Sequence, residues 1–480
     1  MKFHFWAAIA AAVVCMPTAY SQQPDAQAAV HADSALRRVL TLDECLCIAM
    51  SESPTVKVAD LDIKRMDYSR KEVLGSILPS VSFGGTYSRM LAKQVAYMNL
   101  DGFGSMSGGG DNGEESDNGK EKASAKRDEG FKMGLDNSFQ VGFSASVPLL
   151  APQLWQSLKL SDSQIAQSVE QARASRLDLV NQVKSAYYAY LLAKDSRRVV
   201  QESYDMARFT HDLYVGQHSA GAASEYDVLR SSVAMKNIEP EITQADIAIS
   251  RARLQLLILM GIAPGDGDNL DFAGELRDYE KTMYGDVMAL GTDWKNNSTL
   301  RLNELQTKTL EQSVKVSKMA WFPTLALSAN YNWTSSSNGS PFKNFRWNPY
   351  SIVGLTLNIP IFEGGQRYSR IRQAQVQVEM ARLQRQDLEN SISMQVDLAN
   401  DNIKLNVKQI SSCAESVGQA ERAHTIMQQS FDIGAASYLD LRDSELSLTR
   451  SRLAYYQAIY NYLIASSELE LLLGNAVLPE

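Results

Sequence analysis

One short phrase occurs twice in the chain: "GAASEYD" at residues 221–227 returns as "GAASYLD" at residues 434–440. Both copies carry the chemistry of a turn between two helices. A glycine can adopt left-handed backbone where one helix ends, a serine can cap the next helix, and an aspartate follows near that helix's positive end. Turn chemistry does not explain why the two alanines are also identical. The phrase therefore predicts two helical hairpins and leaves open a functional role for their tips.

The surroundings of the phrase repeat as well. Three further pairs of segments correspond in the same order: "LPSVSFGGTYS" at 78–88 with "FPTLALSANYN" at 322–332, "VPLL" at 147–150 with "IPIF" at 359–362, and "LILMG" ending at 261 with "ELLLG" ending at 474. A correspondence that keeps its order over the whole chain indicates two copies of one structural unit.

This duplication sets the expected boundaries. A first repeat spans residues 35–261 and a second spans 291–474, each with the order helix, strand, loop, strand, very long helix, turn, helix. Residues 262–290 are expected to link them, and 475–480 form a short tail. The first repeat is longer because of residues 89–137, whose stretch "GGGDNGEESDNGKEK" is typical of a long surface loop.

The first 21 residues have the pattern of a secretory signal peptide. Lys2 precedes an apolar run from Phe5 to Cys15, and Ala19-Tyr20-Ser21 suits signal cleavage. A lipoprotein modified at Cys15 is the alternative. After residue 21 no apolar run reaches the length of about 18 residues that a membrane helix needs. We therefore expect an exported protein that is not held by helical spans.

Composition and motifs argue against several classes of protein. A net charge of −8 is unlike a nucleic-acid binder, which usually shows a basic patch. The sequence contains no H-E-x-x-H, G-x-S-x-G or Walker pattern, and "GGGDNG" at 108–113 is a lone Gly-rich string. Cys45 and Cys47 lack the spacing of a zinc site. We expect no enzyme, no cofactor and no metal site.

Four segments alternate apolar and polar residues over about ten positions each, as in residues 138–147. The pattern suits either a soluble sheet with one wet face or membrane-barrel strands. Four aromatic residues near strand ends suit an interfacial girdle: Tyr331, Trp333, Trp347 and Tyr350. Since open sheet edges are not tolerated in lipid, four strands per chain would require several chains to close a barrel.

Residues 153–215 contain no Gly or Pro, which predicts a helix of roughly 95 Å. Such a helix has no globular core to wrap, so it must pack on the returning helix and on neighbouring chains. His211 and His424 stand at equivalent positions of the two long helices. They are interpreted either as satisfied or solvated histidines or as pH sensors.

These features together resemble the TolC-like outer-membrane efflux channels over residues 35–475. The resemblance implies a mainly α-helical chain with a membrane β-barrel. In that family a homotrimer pools four strands per chain into a twelve-stranded β-barrel, which a periplasmic α-helical barrel continues. The implied role is a passive duct in the outer membrane. Its implied partners are a periplasmic adaptor protein, an inner-membrane RND, ABC or MFS transporter, and outer-membrane lipid.

The resemblance also assigns roles to residues. The tips that contact the adaptor match Gly221, Ala222, Ala223 and Ser224, together with Gly434, Ala435, Ala436 and Ser437. The aspartates that narrow the entrance match Asp440 and Asp443, and Asp227 matches a residue that holds the entrance shut. An arginine that latches the entrance in the best-known member of the family would fall at Ala436. Six carboxylates around a threefold axis should repel one another, which raises some of their pKa values and favours cations.

Two other classes of protein use long helices. A periplasmic adaptor also has a helical hairpin, but it should have one hairpin beside a lipoyl-like domain. A coiled-coil scaffold has no use for four alternating strands. The cargo of a duct stays open between small molecules and polypeptides.

Overall fold

The computed structural model describes residues 38–96, 131–263, 265, 267, 270–281, 293–339 and 346–475. The expected signal peptide lies outside these residues, as do most of the expected tail and the central part of the 89–137 segment. α-Helices make up most of the described chain.

The first repeat contains these elements: β1 (Arg38–Leu40), α1 (Leu42–Glu52), α2 (Pro54–Gly75), β2 (Ser80–Arg89), β3 (Gln94–Ala96), β4 (Phe131–Met133), β5 (Asn137–Leu150), α3 (Pro152–Ser219), α4 (Glu225–Lys236) and α5 (Glu239–Leu259). The connection and the second repeat contain these: β6 (Leu270–Phe272), a 3-10 helix (Leu276–Lys281), α6 (Ser298–Met319), β7 (Thr324–Ser337), β8 (Asn348–Asn358), α7 (Gln366–Asp432) and α8 (Tyr438–Leu473). The order helix, strand, strand, long helix, returning helix thus occurs twice.

The four long strands form one antiparallel sheet in the order β2-β5-β7-β8. Residues directly opposite one another share a face, and the register places Phe83 opposite Phe143 and Phe143 opposite Tyr331. The predicted alternation is confirmed, because the apolar positions of all four strands lie on one face. Within the described residues β2 and β8 each pair with one strand only, so the sheet has two open edges.

The segment 89–137 is not loop throughout. Strand β2 runs to Arg89, and β3 and β4 form a separate antiparallel pair that joins the two ends of the segment. Asp136 anchors this pair: it lies 3.0 Å from Lys93 Nζ and accepts a hydrogen bond of 2.9 Å from Gly339 N. These contacts lower the pKa of the Asp136 carboxyl, the Gly339 hydrogen bond most. Sequence composition identified the insert, but not its paired stem.

The connection between the repeats also contains regular structure. Strand β6 lies within the expected linker 262–290 and pairs in parallel with β1. Both strands belong to the main hydrophobic core, which includes Leu40 and Phe272. Helix α3 fixes this region, because Tyr187 donates to the Ala273 carbonyl and Tyr190 to Asp271, each over 2.6 Å.

Each repeat closes on itself at a glycine. Gly261 follows α5 with φ +75°, and a Cβ there would lie 2.6 Å from the Glu52 carbonyl oxygen, just before α2. Gly474 follows α8 with φ +69°, and a Cβ there would lie 2.1 Å from the Asn296 carbonyl oxygen, just before α6. Left-handed backbone and close approach both require glycine. This explains why both "LILMG" and "ELLLG" end in this residue.

No helix in the described part of the chain is both long and apolar enough to cross a membrane.

Candidate functional site

The two repeated phrases form the ends of the two helical hairpins. Gly221 and Gly434 have φ values of +76° and +75°. The amide of the residue after each glycine donates a hydrogen bond back to the last turn of the long helix. Ala222 N donates to the Gln217 carbonyl and Ala435 N to the Ser430 carbonyl, both at 2.8 Å. This is the left-handed helix ending predicted from the sequence.

Serine and aspartate then start the returning helix. The Asp227 and Asp440 amides donate to Ser224 Oγ and Ser437 Oγ over 3.2 and 3.3 Å. In return, the serine amides donate to the aspartate carboxylates over 3.3 and 3.2 Å. Both turns therefore contain a capping box, and the predicted N-caps are confirmed. The local role of Asp227 and Asp440 is the same in the two turns.

The two aspartates of α8 differ in their surroundings. Asp440 accepts hydrogen bonds from the side chain and the amide of Ser437, which lower the pKa of its carboxyl. Asp443 lies almost one turn further along the same helix face, is exposed, and has no hydrogen bond or ion pair within the described residues. The capping box thus stabilises the charge of Asp440, whereas the Asp443 carboxylate has no such partner within the described residues. Within one chain the pKa of Asp440 is therefore lowered, and the rise expected from six neighbouring carboxylates stays a prediction.

An aromatic cluster joins the two hairpins near their tips. The ring of Tyr214 on α3 lies 6.2 Å from the Phe431 ring on α7 and 5.6 Å from the Tyr438 ring on α8, edge to face. From α4, the Arg230 guanidinium lies 5.1 Å from the centre of the Tyr438 ring. Burial, and then the charge of Asp227, raise the pKa of Tyr214. The structure therefore brings both turns of one chain together through these side chains, of which the sequence reasoning missed Tyr438 and Arg230.

Position 436 holds an alanine and therefore carries no positive charge, but the helices that follow the two turns carry Arg230 and Arg442. Arg230 contacts Tyr438, as described above. Arg442 Nη1 donates to Glu445 Oε2 over 3.0 Å, and the Glu445 side chain is 3% exposed. Arg442 is thus paired with a buried carboxylate within α8, whereas Arg230 connects the two hairpins near their tips.

The equivalent histidines make equivalent contacts. His211 Nδ1 lies 3.0 Å from Ser231 Oγ, and His424 Nδ1 lies 3.3 Å from Ser444 Oγ. Each serine hydroxyl donates to a carbonyl three positions earlier in its own helix. The serine oxygen therefore accepts the hydrogen bond from the histidine. Both histidines connect the long helix to its returning helix, which supports the interpretation as satisfied residues.

The aromatic residues of the sheet do not all lie on one face. Tyr331 and Trp333 lie on the apolar face with ring centres 4.6 Å apart, and Trp347 is exposed just before β8. Tyr350 pairs with Asn332, so its side chain lies on the opposite, polar face. The predicted girdle is therefore wrong for Tyr350. Counting the alternation back from Val353 would have found this from the sequence.

Comparison with known proteins agrees with this architecture. The sequence profile of the family described as "Outer membrane efflux protein" matches residues 47–262 and 294–475. The chain is 22% identical over 348 residues to outer membrane protein TolC of Vibrio cholerae, covering 69% of this chain and 76% of that protein. It is 23% identical to the cobalt-zinc-cadmium resistance protein CzcC of Cupriavidus metallidurans, covering 62% and 68%.

Among solved structures, the fold is similar to the CmeC outer membrane channel of Campylobacter jejuni. The TM-score is 0.65 at 16% identity, covering 90% of this chain and 85% of that one. The family profile covers most of the present sequence, including both hairpins and all four long strands completely. The chain belongs to the outer membrane efflux protein family, as a non-enzymatic TolC-like protein of the outer membrane with a large periplasmic portion.

Proposed function

We propose that this protein is the exit duct of a tripartite efflux or type I secretion system. In this proposal it conducts small molecules or polypeptides passively from the periplasm to the exterior. The observation that carries the proposal is the continuity of an amphipathic sheet with helices of 68 and 67 residues. At 1.5 Å per residue each helix is about 100 Å long, which suits a tunnel through the periplasm.

Three chains are proposed to form the duct. The sheet of one chain has two open edges among its described strands, and both edge strands expose apolar side chains such as Phe83 and Leu355. In lipid each unpaired backbone group costs several kcal/mol, so the edges of neighbouring chains must pair. A homotrimer with twelve strands is the arrangement of the family and satisfies this requirement.

The entrance is proposed to lie at the hairpin tips. Around a threefold axis Asp440 and Asp443 would supply six carboxylates, which attract cations and disfavour anions. The exposed Asp443 has no partner among the described residues, and this favours its action on ions in the lumen. Asp227 caps α4 within the first hairpin, and the Arg230–Tyr438 contact joins the two hairpins of one chain. Both are proposed to hold the entrance narrow in place of an arginine at Ala436.

Bilayer recordings test the proposed entrance. Replacing Asp440 and Asp443 together with Asn should lower the cation-to-anion permeability ratio of single channels. Asp432→Asn is a suitable control, because this exposed aspartate lies on α7, outside the proposed pair. Unchanged selectivity in the double variant would dismiss the carboxylate ring.

The tips are also proposed to contact a periplasmic adaptor protein. Residues 221–224 and 434–437 have small side chains and are exposed or half-buried, so a partner helix can approach their backbone closely. The adaptor would connect the duct to an inner-membrane RND, ABC or MFS transporter, which supplies the energy. No second class of function is favoured by the described contacts.

Two experiments test the duct as a whole. Outer-membrane fractionation followed by an unheated gel should show a trimer in the outer-membrane fraction. Deletion of the gene should increase sensitivity to toxic small molecules or abolish secretion of a polypeptide, and measuring both separates the two cargo classes. The name of the relative CzcC favours the small-solute outcome. A strain unaffected in both assays, with the protein absent from the outer membrane, would contradict the proposal.

A further inference from the structure

A groove lies between α6 and α7, at the ends of these helices that adjoin the sheet. Its volume is about 520 Å³. Its floor is apolar, because Val314 of α6 packs with Ala374 and Val378 of α7. Its rim carries six charged side chains: Glu311, Lys315, Lys318, Arg372, Glu379 and Arg382. Four cations and two carboxylates give the groove a net charge of +2, in a chain whose net charge is −8.

The two cations nearest the sheet have no acidic partner within the described residues. Lys318 is exposed and makes no ion pair there. The Arg372 guanidinium donates to neutral groups, the Tyr368 hydroxyl and the Gln375 amide oxygen, over 3.1 and 3.3 Å. At the far end of the groove, by contrast, Arg382 is paired with a carboxylate of α6. The end of the groove next to the sheet therefore presents positive charge that an anion from outside the chain can neutralise.

The first repeat has no such cluster at the equivalent place. Adding 244 to a position in α2 gives its counterpart in α6, and adding 212 near the start of α3 gives its counterpart in α7. Lys318 and Arg372 then correspond to Leu74 and Leu160, which carry no charge. The duplicated fold therefore forms without these two cations, and their presence in the second repeat points to a separate function.

The groove adjoins apolar surface where strands and helices meet. Four large side chains in these connections are exposed: Trp321, Phe322, Ile361 and Phe362. In the duct proposed above, lipid covers this surface at the periplasmic edge of the hydrocarbon layer. Arg372 lies six residues, about 9 Å, into α7. The headgroup layer is about 5–8 Å thick on each side of a bilayer, so the long side chains of Lys318 and Arg372 reach it.

The groove opens on the outer side of the proposed helical wall. Tyr368 lies one turn before Arg372 on the same flank of α7 and is exposed, as is typical of aromatic residues at a membrane interface. On α6 the flank with the groove carries the exposed Lys318, whereas Ser313 and Ser317 on the opposite flank are half-buried. In a wall of helices that curves around a lumen, the convex flank is the more exposed one.

We propose that this groove binds the phosphate group of an anionic phospholipid in the periplasmic leaflet of the outer membrane. The inference rests on the proposed placement of the sheet in that membrane and adds a lipid ligand. Lys318 and Arg372 hold the phosphate, because ammonium and guanidinium groups form charge-assisted hydrogen bonds with phosphate oxygens. The acyl chains extend from there along the exposed apolar side chains at the edge of the sheet.

The charges of the groove select an anionic headgroup over a zwitterionic one. The unpaired carboxylate of the groove, Glu379, lies seven residues, about 10 Å, beyond Arg372 along α7. This is too far for it to bind an ammonium group on the headgroup whose phosphate Arg372 holds. A headgroup such as phosphatidylglycerol, which has no ammonium group, leaves no charge without a partner.

Native mass spectrometry of the purified full chain in detergent tests the site. The protein should bind phosphatidylglycerol more tightly than phosphatidylethanolamine, with up to one selective copy per chain. Lys318→Gln with Arg372→Gln should weaken phosphatidylglycerol binding by about fivefold for each charge removed. Lys408→Gln with Arg422→Gln is the matched control and should leave binding unchanged. Both control side chains are exposed, have no ion pair within the described residues, and lie about 50 Å or more farther along α7.

Thermal unfolding gives a second readout. Phosphatidylglycerol should raise the unfolding temperature of the unaltered protein and of the control variant by several degrees, and that of the groove variant by less. Lys318→Arg retains the charge and should retain the shift. Inorganic phosphate at the same concentration distinguishes the two sources of the ligand. If phosphate raises the unfolding temperature as much as the lipid does, the groove is a site for the free ion and the lipid proposal is overturned.

The outcomes separate this inference from the proposed function. Selective loss of phosphatidylglycerol binding in the groove variant supports the lipid site. Equal binding of the two lipids, or equal binding by the groove and control variants, overturns the site and leaves the duct standing. Absence of the protein from the outer-membrane fraction overturns both.

Discussion

Replacing Gly474 by alanine tests how each repeat closes. A Cβ at this position would lie 2.1 Å from the Asn296 carbonyl oxygen and 2.7 Å from its carbonyl carbon, and the backbone φ is +69°. Left-handed backbone costs about 1–2 kcal/mol for alanine. Moving the backbone at Asn296 costs about 1–3 kcal/mol more, by analogy with overpacked cores. We therefore expect Gly474→Ala to lower the free energy of unfolding by about 2–5 kcal/mol.

Two matched variants separate these contributions. Gly434 has a similar φ of +75°, but no atom lies within 4 Å of a built Cβ, so Gly434→Ala should lose only about 1–2 kcal/mol. Gly418 lies inside α7 with open space around it, so Gly418→Ala should be neutral or stabilising by up to about 1 kcal/mol. The assay is urea unfolding in detergent, followed by circular dichroism. Equal losses for Gly474→Ala and Gly434→Ala would refute the close approach as the cause.

The remaining predictions concern the hairpin tips. Ser437→Ala removes the cap of α8 and should raise amide exchange in its first turn by the equivalent of about 0.5–2 kcal/mol, whereas Ser437→Thr should retain protection. Because the pKa of Asp440 is lowered in the folded chain, its ionised carboxylate stabilises the first turn of α8 above about pH 4, and this stabilisation is lost as pH falls through the lowered pKa. Asp440→Asn should remove this pH dependence of amide exchange. Arg230→Ala removes the cation over Tyr438 and should increase single-channel conductance as the tips separate. Arg208→Ala should leave conductance unchanged, because Arg208 is exposed and its ion pair within the described residues is with Asp212.

The features that the sequence predicted correctly depend on local chemistry. A glycine that must be left-handed and a serine three residues before an aspartate identify a helix ending and a capping box without knowledge of the fold. The strand alternation is local in the same sense, since residues two apart share a face. These patterns were enough to find both hairpin turns and the apolar face of the sheet.

Other features depend on contacts that leave no local pattern. Arg230 and Tyr438 belong to different repeats and meet because α4 and α8 both pack against α3. The strands β3 and β4 have three residues each, too short for alternation to identify them. Strand β6 is equally short and lies in the segment that the duplication leaves as a linker between the two repeats. The error at Tyr350 was of another kind, since its proximity to a strand end was used without counting the alternation.

The central claim is that one chain supplies too few strands to close a barrel, so three chains combine. The most direct test is the mass of the purified mature protein in detergent, measured by native mass spectrometry. We expect particles of three chains that require detergent or lipid to stay dispersed. A single chain that stays dispersed in plain buffer would contradict it.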